Sequence, residues 1–409
     1  MQRMETKWVR RLLVTNGVVL ALVAAPLVYA IAAEAPAGFD NLTNGFESQT
    51  QFDLDLANFD SREDLADGLG PVYNAQACAE CHQNPVSGAA SQITELRKGR
   101  FDGVTFTDPP GGSLNNDRAI NAAIQERVAG ADNVIALRSS LNILGDGFVE
   151  ALPDSFFTNT QAGQPSGMKG TIITVPVNES PGTNRIARFG WKNQHASLLS
   201  FAADAYQNEM GITSPMQPTE NTSNGASVAA FDTVPDPEDA ATPSFPKGTD
   251  VEAFTRFMRS TKVPPRDTAL ANTSDGLAGA SLFNSIGCNI CHVTSATTAP
   301  TGTSFNGGKL IVPAALGSIT FHPYSDFMLH DIGQGDGIVQ NGGQGTRTKM
   351  RTPPLWGLRT HSRLSFDLGD FTRNNAILFH FGEANPVINN YINLSVTQQN
   401  QLITFLNSL

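Results

Sequence analysis

Two pentapeptides carry residues able to do chemistry together: Cys78-Ala79-Glu80-Cys81-His82 and Cys288-Asn289-Ile290-Cys291-His292. Cys-x-x-Cys-His is the spacing of covalent c-type haem attachment. Two thiols reach the two vinyl groups on one porphyrin edge, and the next residue sets an imidazole beneath the iron. Neutral imidazole is a common axial ligand, and the axial ligand helps to set the potential. The chain has four cysteines, and the two motifs use all of them. A zinc site needs four ligands from one compact cluster, and a redox dithiol needs no adjacent histidine. The doubled motif reads as two covalent haems on Cys78, Cys81, Cys288 and Cys291, with His82 and His292 as iron ligands and no cysteine left for a disulfide.

The flanks repeat too. YNAQACAECH, from Tyr73, parallels FNSIGCNICH, from Phe283, and upstream Asp67-Gly68-Leu69 parallels Asp275-Gly276-Leu277. The two histidines stand 210 residues apart (292 minus 82). That period is too long for a solenoid and suggests two related haem domains facing each other.

The elements that must position these motifs come from the rest of the chain. Its 409 residues fit two to three domains at about 150 residues each, and 40% hydrophobic content is enough for ordinary cores. A net charge of −11 argues against a nucleic-acid partner and suits a solvated surface, a soluble carrier or a cationic redox partner. Lys7, Arg10 and Arg11 precede an apolar run over 12–33 that ends in small residues, the pattern of a secretory signal. The run is also long enough to be an uncleaved membrane anchor. Either way, residues 1–33 send the remainder out of the cytoplasm, to the periplasm by the bacterial pattern.

Residues 34–210 read as an N-terminal haem domain with an arm carrying Phe39, Phe46, Phe52 and Phe59. Gly-, Pro- and Asn-rich 83–118 reads as loops, 118–130 as a helix, 171–176 as a short strand and 197–210 as a helix. Residues 211–248 form a linker or surface excursion. The C-terminal cytochrome c domain, 249–409, opens with a helix over Asp250–Ser260 burying Val251, Phe254 and Met258. Ser274-Asp275 caps the helix into Cys288, Thr372 caps one running to about Phe381 before Gly382, and Leu402, Phe405, Leu406 and Leu409 mark the last. The expected class is mainly α: two cytochrome c-like haem domains with long loops and a few short strands.

Several stretches together resemble the bacterial di-haem oxidoreductase family, often labelled peroxidases or thiol oxidoreductases. They are GFDNLTNGF, ADGLGPVYNAQACAECHQNPVSG, RFGWKNQHASLLSF, NEMGITSP, PYSDFMLHDIGQG and RTPPLWGLRTHSRLSFD with NNAILFHFGEA. The resemblance covers most of residues 38–409. More distantly the chain is similar to di-haem cytochrome c peroxidases and to the enzymes that mature methylamine dehydrogenase. In those enzymes one haem is an open reaction site and the other is six-coordinate and passes electrons.

The resemblance implies three site residues. The tryptophan between the haems falls on Trp191, the distal-pocket glutamate on Glu209 in Asn208-Glu209-Met210, and the sixth ligand of the C-terminal haem on His380. Departures are equally specific. The distal glutamine falls on Phe201, a loop histidine falls on Phe366, and no histidine lies between His82 and His195. The relatives' calcium ligands fall near Ser139 and His361, poor matches, which makes calcium the weaker of the implied cofactors. His330 is the reserve haem ligand, and Met210, Met328 and Met350 are thioether alternatives. Arg138, Arg188 and Arg351 are candidate propionate partners.

These implications describe an exported, peroxidase-like di-haem c-type enzyme with a reactive N-terminal haem, a small-molecule substrate and a small redox protein or quinol-linked electron partner. Membrane contact is expected only through the N-terminal segment. The alternative is a di-haem electron-transfer cytochrome without chemistry of its own.

Overall fold

The computed structural model describes residues 33–236 and 249–409. The expected signal or anchor therefore lies outside the described residues, apart from Ala33. Among the described residues, no helix is long and apolar enough to cross a membrane.

The first helix, Gln49–Asp60, starts where the Ser48 side chain accepts a hydrogen bond from the Gln51 amide. It buries Phe52 and Phe59 against Phe257 of the helix Asp250–Ser260. That second helix is closed at its start by a capping box between Thr249 and Glu252, and ten of its eleven residues are buried. Such burial requires partners for its charges. Arg256 pairs with Asp55 at 2.7 Å and Arg259 with Glu150 at 2.6 Å, both carboxylates fully buried. Expected to open the C-terminal domain, this helix packs instead on elements of the first half: Gln49–Asp60, Asp146–Glu150 and Leu198–Ala205. Other threads join the halves. Strand Ala33–Glu34 pairs in parallel with residues 319 and 320 of Ile319–Phe321, and Thr171 bridges Leu329. The described residues, 33–236 and 249–409, form one compact unit.

Helix content is 33% and strand content 15%, so mainly α overstates the class. The largest departure is the strand Thr94–Phe101, within the stretch that reads as loops. It pairs antiparallel with Val134–Ser139 over six residues and with two shorter strands. Residues 118–130 contain the short strand Arg118–Ala119 and a 3-10 turn, Ala122–Ile124, in place of the expected helix.

In the second half the helix Ser274–Ser285, capped by Thr273, lies against the last helix, Val396–Asn407. A Cβ at Gly279 would collide with the Gln401 carbonyl, so glycine permits this approach. Phe283, Tyr324, Leu402 and Phe405 fill the core beneath the second motif.

Candidate functional site

Each Cys-x-x-Cys-His motif opens onto a cavity. The one at the second motif, about 280 Å³, is lined by Cys288, Cys291, His292 and His380 among mainly apolar side chains. His292 Nδ1 donates to the Tyr324 carbonyl at 2.9 Å. His380 follows the helix Arg373–Leu378, capped by Thr372 and three residues shorter than expected, and its Nδ1 donates to the Ala376 carbonyl at 2.7 Å. Each ring thus keeps Nε2 as the free lone pair. Burial pushes His292 down to about 4 and lowers His380, so both imidazoles stay neutral at pH 7. Their ring centroids lie 6.4 Å apart. Two imidazoles each about 2 Å from one metal ion have centres roughly 6 Å apart, so the gap suits an iron between them.

His330 stands in the same cavity but is not free to ligate. Its Nε2 meets Asp326 and its Nδ1 meets Glu383, both at 2.8 Å. Burial alone would lower its proton affinity, but hydrogen bonds to Asp326, Cys291 and Glu383 push it up to about 12. The reserve ligand is therefore a clamped imidazolium. Among the described residues, the one trio of His, Cys and carboxylate close enough to hold a metal is Cys291, Asp326 and His330, which omits Cys288 and His292. Burial also pushes the Cys81 and Cys288 thiols up to about 12 and raises Cys78 and Cys291. Zinc ligands and redox dithiols work as thiolates, so this environment suits neither.

The cavity at the first motif is larger, about 650 Å³, and more polar. His82 follows the single-turn helix Cys78–Cys81, and its Nδ1 donates to the Leu141 carbonyl at 2.9 Å. Burial pushes it down to about 4. Among the described residues, the only other histidine lining this cavity is His195, whose Nε2 meets Asp204 at 3.1 Å and whose ring stacks on Phe201.

Glu209 lines the same cavity from a π-helical turn, Tyr206–Met210, that continues the helix Leu198–Ala205. Such turns recur at functional sites because one wider turn re-aims its side chains. Its carbonyl accepts the Asn74 and Ala75 amides at 2.7 and 3.0 Å, which ties it to the segment entering the first motif. Its carboxyl accepts from Asn74 Nδ2 at 2.8 Å. Burial, then the charge of Glu95, pushes Glu209 up to about 8.

One wall serves both cavities. Trp191, the segment 139–141 and Arg351 line each of them. Trp191 Nε1 donates to the Ser139 carbonyl at 2.8 Å, and its ring meets Phe366 edge-on at 6.3 Å. The Arg351 backbone amide donates to the Trp191 carbonyl at 2.8 Å, and Arg351 Nε donates to the Gly190 carbonyl at 2.9 Å.

The family described as "Di-haem oxidoreductase, putative peroxidase" matches residues 89–409, which starts just after the first motif. The chain belongs to the di-haem oxidoreductase family. No curated protein matches it by sequence. Three solved structures are similar to it at low identity. Hydrazine synthase of Kuenenia stuttgartiensis is 12% identical, covers 99% of this chain and 100% of its own, and has a TM-score of 0.40. A MauG-like protein associated with microbial copper homeostasis is 16% identical over 92% of each chain, with a TM-score of 0.39. A variant of the diheme peroxidase BthA from Burkholderia thailandensis is 12% identical over 88% of this chain and 85% of its own, with a TM-score of 0.38.

This di-haem oxidoreductase thus brings its two histidine–cysteine clusters to separate cavities. Some of the residues expected from the sequence group there and others do not. Glu209 joins His82, His380 joins His292, and Trp191 stands on the shared wall. Arg188 lines neither cavity: it is fully buried, pairs with Asp154 at 2.7 Å and covers the Phe157 ring, so it is not a propionate partner. Arg138 lines the first cavity but is already paired with Asp336 at 2.7 Å. Met328 is a core residue, Met210 is buried in the core but also lines the first cavity, and Met350 lines the second. Sequence reasoning missed Glu95 and Arg97, which line the first cavity from the strand Thr94–Phe101. Charged residues at i and i+2 in Thr-Glu-Leu-Arg were the available signal.

Proposed function

We propose that this di-haem oxidoreductase is an exported, peroxidase-like enzyme with an asymmetric pair of c-type haems. Cys78, Cys81 and His82 would hold one, and Cys288, Cys291, His292 and His380 would hold the other. The single observation that carries the reading is the difference between the cavities. One offers two neutral imidazoles 6.4 Å apart; the other offers His82 and the carboxylic acid Glu209, with its second histidine, His195, held by Asp204 and stacked on Phe201.

Bound haem would supply one-electron chemistry and, at an open coordination position, a place for an oxidant such as peroxide. Reducing peroxide to two waters consumes two electrons and two protons. Glu209 carries a proton at neutral pH and sits beside Asn74, which orients the carboxyl, so it is the group to move a proton within the cavity. Nδ1–carbonyl bonds fix His82, His292 and His380 as neutral Nε2 donors. Trp191 is the aromatic path between the two haems. The electron donor is a small redox protein or a quinol-linked carrier outside the cytoplasm.

The test is spectroscopic. The haems should resist acid–acetone extraction and number two per chain by pyridine haemochrome. The ferric protein should show one low-spin and one high-spin EPR signal, and only the second should respond to cyanide. Two low-spin signals indifferent to cyanide and peroxide, even after half-reduction, would replace the enzyme with an electron-transfer cytochrome.

A further inference from the structure

Glu95 and Arg97 are two residues apart on the strand Thr94–Phe101, so their side chains leave the same face. Arg97 Nε donates to Glu95 Oε1 at 2.6 Å. The Glu95 and Glu209 carboxyls both line the cavity of His82, close enough for each to act on the other. Two carboxyls crowded into one buried site cannot both ionise freely, so the pair keeps one proton. The surroundings decide where that proton sits. Arg97 places its cation on Glu95, and Arg138 stands directly across the ladder from Glu95. Glu209 is hydrogen-bonded by the neutral amide of Asn74 and feels the Arg97 charge less than that of Glu95. That amide cannot turn round, because its carbonyl oxygen accepts the Asp117 backbone amide at 2.8 Å.

We propose that Glu95 and Arg97 are positioning residues for Glu209: the Arg97-clamped Glu95 carboxylate keeps the charge, and Glu209 keeps the one proton of the pair inside the cavity of His82. This rests on the reading of Glu209 as the proton-moving group. The other charged or titratable groups acting on the cluster are Asp204, which lines the cavity and acts on Arg97, Asp108, which feels Arg97 and Arg138, and Cys81. The arrangement is a like-charge pair made uneven by one cation, a recurrent way to keep a carboxylic acid protonated at neutral pH.

The signs of two substitutions are opposite, which makes the test sharp. Glu95→Gln removes the like charge but keeps an acceptor. Arg97→Gln removes the cation. The readouts on holoprotein are the pH profile of cyanide binding to the first haem and the infrared C=O band of a protonated carboxyl. In wild type at pH 7 that band should contain, beside the contributions of Asp146 and Glu220, a component that is lost in Glu209→Gln, which should also flatten the cyanide profile. Glu95→Gln should move the midpoint down by about one pH unit, and Arg97→Gln should move it up by a similar amount. Arg97→Lys should restore it. A midpoint unmoved by both Glu95→Gln and Arg97→Gln, with Glu209→Gln still flattening the profile, would overturn the role of the pair and leave Glu209 intact. A wild-type profile in Glu209→Gln would remove Glu209 itself, and this proposal with it. Should the strand variants fail to fold, the infrared difference between wild type and Glu209→Gln decides alone, since the absence of a protonated-carboxyl component lost on that substitution at pH 7 overturns the proposal.

Discussion

His292 and His380 face each other with ring centroids 6.4 Å apart and planes 54° apart, each ring anchored through Nδ1 to a backbone carbonyl. Neither anchor depends on a side chain that a point mutation would remove, so the pair can be taken apart one ring at a time.

His380→Ala should cost the second haem its strong-field partner. One low-spin EPR signal is expected to disappear, with a high-spin species or a new thioether or water ligand in its place. His330 should not step in, because Asp326 and Glu383 hold both its nitrogens. A low-spin signal identical to wild type would reassign the ligand.

His330→Gln separates the clamped cation from the iron ligands. The side chain is 3% exposed and lies between two carboxylates, and removing one member of a buried charged cluster costs about 3–5 kcal/mol. The folded proton affinity is raised above the ordinary 6.5, up to about 12. Its stabilisation is therefore complete below pH 6.5 and is lost as pH rises towards about 12. Urea midpoints should converge for the two proteins at alkaline pH, while the EPR signals of both haems stay as in wild type.

Trp191→Phe keeps an aromatic ring on the shared wall but leaves the Ser139 carbonyl without its indole donor. A loss of about 1 kcal/mol in stability is expected. Both haem spectra should be unchanged, and electron exchange between the haems, followed after pulsed reduction, should slow. Unaltered exchange would reduce Trp191 to a packing residue.

Glu209→Gln preserves shape and removes the ionisable proton. Peroxide turnover should fall by ~10²–10⁴-fold while cyanide still binds. The pH dependence has a definite sign. Glu209 is protonated at neutrality and ionises as pH rises through about 8, so a step needing the acid should fade above that point. Between the ordinary 4.5 and about 8 the folded protein holds a proton that the unfolded chain has released, so wild-type stability should fall with rising pH. The variant should lack that slope in a melting-temperature series.

The two motifs, their histidines and the helix Asp250–Ser260 are legible in the sequence because fixed spacing and apolar periodicity survive any tertiary context. The family resemblance adds Glu209, Trp191 and His380. The strand Thr94–Phe101 is not legible. Its sequence, Thr-Glu-Leu-Arg-Lys-Gly-Arg-Phe, lacks an apolar face, because its inward positions hold charges that find partners only in three dimensions. Lys98 is the clearest case: it is 1% exposed, and its Nζ donates to the Asn115 side chain and the Arg127 carbonyl. Burial of polar residues leaves no hydrophobic period to read. For the same reason Glu95 and Arg97 read as loop charges, and Arg188 reads as a propionate partner although its partner is Asp154.

The interleaving of the halves also bears on how the protein is made. The cavity at His82 includes Phe254, Met258 and Arg351, and Arg351 follows His82 by 269 residues (351 minus 82). Chains are synthesised at about 5–20 residues per second, so both thiols and the first histidine exist for tens of seconds before the last of these wall residues does. A haem joined to Cys78 and Cys81 before the far half had folded would meet an open chain, and the pocket would close around it only when that half arrived.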